Sequence, residues 1–326
     1  MGVDPVDYKQ AEVNEDDLKF AAQMGATHVV LQSYANDGIV PGDERWEFDD
    51  LLQLRHKVEE AGLVLEALEN VPLKFYDQVM LGGPKRDEQI ENMVYTIRNI
   101  ARAGIPIFGY HWMPTLVGRT SLTTQIRAGA RVTSFDLDEA NKAPFLHGRQ
   151  YTEDEMWANL EHWIKIIVPI AEEEGIRIGI HPCDPPVEDL KGIPQLFRSF
   201  DAYKRLISIV ESPSNCIEFC QGTFSEMADA KGDGIYEMIE YFGERKKILY
   251  VHFRNVSDTV PKFQEEFINT GHVDMYRAMQ SYKKVGFDGM FVDDHVPVVV
   301  GDSPWGHRGR AFANGYIQAL MNVVDR

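Results

Sequence analysis

The feature that most constrains this chain is an alternation running its whole length. Short β-branched segments are each followed by a longer stretch with helical periodicity. The strand-like segments are Thr27–Gln32, Leu63–Glu69, Ile105–Trp112, Arg177–His181, Cys216–Cys220, Ile248–Phe253 and Gly289–Asp294. Helical stretches between them include Asp50–Ala61, Arg86–Ala103, Glu153–Glu174 and Val273–Val285. Such alternation implies a parallel sheet with helices packed outside it. Four times a helix runs into glycine and then a strand, at Gly25, Gly62, Gly104 and Gly175. Glycine suits the left-handed turn that stops a helix and starts an αβ loop. Seven strands are clear, and closing a barrel requires an eighth. The text leaves room for it only at the extreme N-terminus, before Asp4-Pro5. The chain therefore reads as one (β/α)8 TIM-barrel domain over residues 1–326, a fold that often reaches about 250 residues or more as one unit. An open doubly wound sheet is the weaker alternative, because no Gly-rich phosphate loop follows the first strand.

Composition narrows the function. The formal charge of −18 repels phosphate backbones and argues against nucleic-acid binding, so an anionic substrate would need a locally positive site. No run of 18 apolar residues is present, which argues against a membrane span. The opening MGVDPVDYKQ lacks the basic and apolar regions of a signal peptide. Three cysteines, Cys183, Cys216 and Cys220, are too few and too odd in number for a disulfide framework, and they point to a reducing, cytoplasmic setting.

In a parallel barrel the chemistry sits where strands end. Here the ends are Glu69, His111, His181, Cys220, His252 and Asp294, each able to bind a metal or move a proton, whereas the strand interiors are apolar. His181, Cys220, His252 and Asp294 come from four successive strands. Two imidazoles, a thiolate and a carboxylate offset one divalent cation, and mixed N/S/O ligation suits Mn²⁺, Fe²⁺, Co²⁺, Ni²⁺ or Zn²⁺. A lone strand-end His is as often a satisfied structural residue, and a lone Cys more often a small buried hydrophobe; four at equivalent positions make the metal reading the stronger one. Cys183 and Cys216 read as structural. Asp184, in the rigid turn His181–Pro186 (HPCDPP), is a candidate for orienting a ligand or moving a proton, or a turn aspartate bonded to its own backbone. Arg254 and Arg119 are candidates for clamping a substrate carboxylate. Glu69 is a candidate substrate contact, and His295 and His111 are candidate acid–base groups. Trp112 and Met113 read as packing.

The text is similar to the mannonate dehydratase family of the xylose-isomerase-like barrels over nearly its whole length. Leu68–Pro72 (LENVP) resembles the family's ESIP strand end, and Thr96–Gly104 (TIRNIARAG) its TIRNLAKAG helix. Tyr110–Thr120 (YHWMPTLVGRT) resembles YNFMPVxxWTRT, and HPCDPP resembles HPDDPP. Cys220-Gln221-Gly222 is similar to the CTGS turn, Val251–Val256 (VHFRNV) to HFRDV, Gly271–Met275 (GHVDM) to GNVDM, and Asp294-His295 to the Asp-His of PDHG. The resemblance implies dehydration of a six-carbon aldonate to a 2-keto-3-deoxy acid with Mn²⁺ or a similar ion. It also implies metal ligands at His181, Cys220, His252 and Asp294 and a catalytic histidine at His295. Several positions depart from it. Cys183 replaces an acid, His111-Trp112 replaces Asn-Phe, and Val117-Gly118 replaces Trp-Thr. The family's late catalytic tyrosine has no match in Gly306–Arg310 (GHRGR), although Tyr316 lies nearby.

The expected protein is a cytoplasmic, homo-oligomeric lyase acting on a small sugar acid with one divalent ion, Mn²⁺ favoured. A metal-dependent sugar isomerase or epimerase shares the enediolate chemistry and is the nearest alternative. A catalytically inactive sugar-acid binding protein is a second, and a barrel endonuclease is disfavoured by the charge.

Overall fold

The computed structural model describes residues 2–3, 6–7, 12–33 and 38–325. Eight parallel strands close into a barrel: β1 (Gly2–Val3), β2 (His28–Gln32), β3 (Val64–Glu69), β4 (Ile107–His111), β5 (Arg177–His181), β6 (Asn215–Cys220), β7 (Ile248–His252) and β8 (Met290–Val292). Their order round the ring is their order in the chain. The eighth strand stands where the sequence left room for it. Gly2 pairs with Val292 of β8 and with His28 of β2, so two residues join the ends of the sheet.

The principal helices are α1 (Glu15–Gln23), α2 (Phe48–Glu60), α3 (Arg86–Arg102), α4 (Glu153–Glu173), α5 (Phe200–Ile209), α6 (Gly234–Glu244), α7 (Met275–Lys284) and α8 (His307–Val324). Local chemistry sets their limits. Thr152 and Glu155 form a reciprocal capping box that starts α4, and Asn14, Ser199 and Asp274 cap α1, α5 and α7 through their side chains. At the other end, Gly25, Gly62, Gly104 and Gly175 all adopt the left-handed φ, between +74° and +85°, that ends a helix and turns the chain into the next strand. No helix among the described residues is long and apolar enough to cross a membrane.

One large apolar cluster lies between strands and helices, and a second fills the barrel lumen. Cys216 belongs to the lumen cluster with Val30, Ala67, Ile107, Tyr250 and Val292. Cys183 is buried and its sulfur accepts the Phe197 N–H at 3.4 Å, with burial pushing its thiol up to about 12. Both cysteines are packing residues in this geometry. Inside the lumen Gly109 is required by close approach, because a methyl there would run into the Tyr250 hydroxyl and the Glu218 carboxyl.

Beyond the barrel's C-terminal rim lies an element the strand-and-helix pattern does not announce. Ser121–Gln125, Arg131–Asp136 and Lys262–Gln264 form a three-stranded antiparallel sheet from loops far apart in sequence. It carries Thr133 and Glu265 over the strand ends, with the Glu265 N–H donating to the Thr133 carbonyl at 3.0 Å.

Candidate metal centre and active site

His181, Cys220 and His252 end β5, β6 and β7, and their ligand atoms lie within 4.8 Å of one another, all buried. The His181 Nδ1–H donates to the Pro182 carbonyl at 2.7 Å, which leaves Nε2 as the lone-pair nitrogen. The His252 Nε2–H donates to Glu69 at 2.9 Å, which leaves Nδ1 as its lone-pair nitrogen, and that atom is buried without a hydrogen-bond partner. Asp294 Oδ2 stands 3.7 Å from this Nδ1. Two ligands held at about 2.1–2.3 Å by one tetrahedral ion stand about 3.5 Å apart, so both spacings suit a shared cation.

The electrostatics agree. Burial pushes the Cys220 thiol up, but Arg254 and His181 outweigh it and hold the group well below its ordinary value, as a thiolate. Its sulfur accepts the Thr223 hydroxyl at 3.2 Å. Burial depresses His181, yet Glu218 and Cys220 outweigh it and push the imidazole up to about 10. Glu69, Cys220 and Asp294 thus put negative charge at the strand ends, which the imidazole protons offset here and a divalent cation would offset in their place. Glu218, sealed between Glu69 and the two imidazoles, keeps its proton because burial and Glu69 both oppose its charge.

A second layer holds this one in place. Arg254 donates from Nε to Asp294 at 2.9 Å, from Nη1 to Glu226 at 3.1 Å and Glu265 at 2.8 Å, and from Nη2 to Asp184 at 3.1 Å and Thr223 at 2.9 Å. A guanidinium has five N–H donors, and all five are used. The expectation that Arg254 clamps a substrate carboxylate is therefore corrected: it is buried and orients Asp294, Asp184 and Glu265. Arg119 reaches the cavity wall but is equally committed, to Thr133, the Gly118 carbonyl, both oxygens of Asp184 and Glu265. It too has no donor to spare for a substrate. Asp184 is gripped by both arginines. Burial raises it, but Arg119 and then Arg254 hold it far below the carboxylate range, so it stays ionised and is poorly suited to moving a proton. Glu69 lines the cavity, yet its oxygens accept from His252, from Gln32 and from the Tyr250 hydroxyl. Its geometry is that of a carboxylate orienting a metal-binding imidazole. Glu226, the other carboxyl group that Arg254 touches, adds no charge, since burial and Asp184 keep it protonated.

Glu69, His181, Asp184, His252, Glu265 and Asp294 line one cavity of about 670 Å³, with Cys220 and Arg254 behind its wall. His111 and His295 line it on opposite protonation terms. Burial and then His181 lower His111 to about 3, and its Nδ1 accepts the Met113 N–H at 3.2 Å. It is neutral, with its proton on Nε2. In His295 burial lowers the group, but Asp294 and Glu265 outweigh it and raise it. Its Nδ1–H donates to Glu265 at 2.9 Å, and its side chain is 31% exposed. This carboxylate–imidazole pair was not foreseen, because Glu265 follows directly on a short strand of the side sheet with no motif around it. Tyr316 is half-buried in α8 and packs against the core rather than the cavity.

The sequence model of D-mannonate dehydratase matches residues 11–144 and 141–326. The chain belongs to the D-mannonate dehydratase family. Members of that family are sugar-acid hydro-lyases, and this chain is read as one of them. A mannonate dehydratase of Streptococcus suis is 32% identical, with 88% of this chain and 85% of that protein aligned. One of Thermotoga maritima is 28% identical, over 88% of this chain and 89% of its own length. The crystal structure of mannonate dehydratase from Streptococcus suis serotype 2 superposes with a TM-score of 0.85 at 30% identity, covering 94% of this chain and 90% of that one. A structure of L-ribulose 3-epimerase, at 12% identity and a TM-score of 0.61 over 100% of this chain and 95% of that one, shares the fold.

Proposed function

We propose that this family member is a metal-dependent dehydratase of a six-carbon aldonate, converting it to a 2-keto-3-deoxy acid. The observation that carries the reading is one cavity lined by His181 and His252, the two imidazoles of the buried His181–Cys220–His252 cluster, and by the His295–Glu265 pair. The donor set fits a divalent cation: two imidazole nitrogens, a thiolate and the Asp294 carboxylate, with the otherwise orphaned His252 Nδ1 turned toward Asp294. Mn²⁺ is favoured, by family resemblance, over Fe²⁺, Co²⁺, Ni²⁺ or Zn²⁺. Bound there, such an ion supplies Lewis-acid stabilisation of negative charge on the substrate carboxylate and its neighbouring hydroxyl.

The protein's own groups do the rest. The proton on C2, alpha to the carboxylate, must leave, and so must the C3 hydroxyl with a proton. The enol so formed then tautomerises to the 2-keto-3-deoxy acid, with one water as the other product. His295 is a partly exposed imidazole on the cavity wall and is suited to exchange a proton there. Glu265 fixes its tautomer and favours its protonated form. His111, neutral and protonated on Nε2, can donate a hydrogen bond to a substrate oxygen without carrying charge. Arg119 and Arg254 keep Asp184, Glu265 and Asp294 ionised and immobile.

The test is to incubate Mn²⁺-loaded protein with a panel of aldonates and uronates and read product masses. Loss of one water supports the proposal, and conserved mass would replace it with isomerisation. Chelation by EDTA is expected to abolish turnover, with recovery on adding Mn²⁺. His181→Ala is expected to lose bound metal, measured by elemental analysis.

A further inference from the structure

The cavity is polar on its floor and aliphatic further out. Beyond the histidines and carboxylates its wall includes an aliphatic set, Leu116, Val117, Leu122, Val132, Val296 and Val298, beside polar groups that include Ser33, Asn70, Thr133 and Arg131. Leu122 is 72% exposed and Val298 40% exposed, which places them at the mouth. They flank one strand of the side sheet. Ser121–Gln125 pairs along Arg131–Asp136, and Val298 exchanges both backbone hydrogen bonds with Arg131 at 3.1 and 2.9 Å. Leu116 is held at φ +55°, a left-handed conformation that a leucine rarely adopts. Six described non-glycine residues have positive φ, and Asn70, Leu116 and His295 among them all line this cavity. Strain kept in contact with a cavity is a sign of ligand contact.

A plain hexonate makes poor use of this wall. It carries an oxygen on every carbon, and six aliphatic side chains offer none of them a partner, so hydroxyls pressed there lose their water bonds without replacement. Size points the same way. At about 30 Å³ per water the cavity holds on the order of twenty waters, whereas a six-carbon aldonate has about thirteen non-hydrogen atoms joined by shorter, covalent spacings. With the carboxylate end at the metal cluster, the far end of the sugar points toward the mouth.

We infer that the preferred substrate is a sugar acid carrying an apolar substituent at the end remote from its carboxylate, seated against Leu116, Leu122 and Val298. This inference rests on the sugar-acid dehydratase reading, and the experiment separates the two. D-mannonate and its 6-O-butyl ether are compared as substrates of the Mn²⁺-loaded protein. Burial is worth about fourfold per methylene, so a partly buried butyl chain is expected to raise kcat/KM at least tenfold over the parent acid. Leu122→Asp, at an exposed position, is expected to bring that ratio close to one. Equal or better turnover of the unsubstituted acid overturns the inference. If neither compound is dehydrated, calorimetry decides: tighter binding of the butyl ether upholds the apolar subsite while the dehydratase reading falls, and equal affinity overturns the subsite. If Leu122→Asp dissociates an oligomer of the protein and the wild-type ratio is already near one, the aliphatic mouth is a contact between copies and the inference is overturned.

Discussion

Replacing Glu265 by glutamine keeps a side chain of the same shape beside His295 but removes its charge. The two groups are 2.9 Å apart at their nearest atoms, so their charge centres are about 4 Å apart. Unit charges at about 4 Å interact by about 1 kcal/mol in water and about 4 kcal/mol at an effective dielectric near 20. His295 has 31% of its side chain exposed and lies between these limits. About 2 kcal/mol follows, or about 1.5 pKa units. The sign is fixed by the wild-type arrangement. Glu265 favours the imidazolium, so Glu265→Gln lowers the His295 pKa, and whichever limb of the kcat/KM profile His295 governs moves toward acid by about 1.5 units. NMR titration of the His295 ring should move equally. The stability difference between wild type and variant should also depend on pH. A raised folded-state histidine pKa contributes stability that is fully present below its unfolded value, near 6.5, and is lost as pH rises through the folded value. The Glu265 charge must itself be present, so the gap closes again in strong acid. An unmoved limb beside a shifted NMR titration would refute the assignment of His295 as the group that exchanges the proton, and an unmoved titration would refute the electrostatic coupling to Glu265.

Three further outcomes are expected. Cys220→Ser replaces a thiolate by a hydroxyl that stays protonated, and metal affinity measured by competition with a chelator should fall by tenfold or more. Arg254→Met strands Asp184, Glu265 and Asp294 without their shared cation, and denaturant unfolding should show a loss of about 3–5 kcal/mol, the cost of breaking a buried ion pair from one side; Arg254→Lys, with three donors for five acceptors, should recover only part of it. Gly109→Ala sets a methyl against the Tyr250 hydroxyl and the Glu218 carboxyl, and should destabilise the fold by about 1–3 kcal/mol in the same assay, as overpacking does.

Strand ends were the most legible part of the chain. A β-branched run that stops at His, Cys or Asp places the terminal side chain at the rim whatever the neighbouring loops do. The His181–Cys220–His252 cluster needs only that rule and a closed ring. The arginines were misjudged for the opposite reason. Sequence shows the charge on Arg254 and Arg119 but not the counter-charges, which reach Arg119 from Asp184 and Glu265, 65 and 146 residues along the chain. Glu265 was invisible because the side sheet joins two loops by backbone pairing, which demands no particular residues. Glu218 did leave a trace. In Cys216–Cys220 it is the one charged residue of an otherwise apolar strand, and at period two it shares the inward side with both cysteines. The first strand was nearly illegible because two residues carry no periodicity.

That shortness has a practical consequence. The sheet becomes a cylinder only where Gly2 and Val3 bridge the last strand and the second. Loosening the seam would expose unpaired backbone along β8 and β2, two ready templates for intermolecular strand pairing.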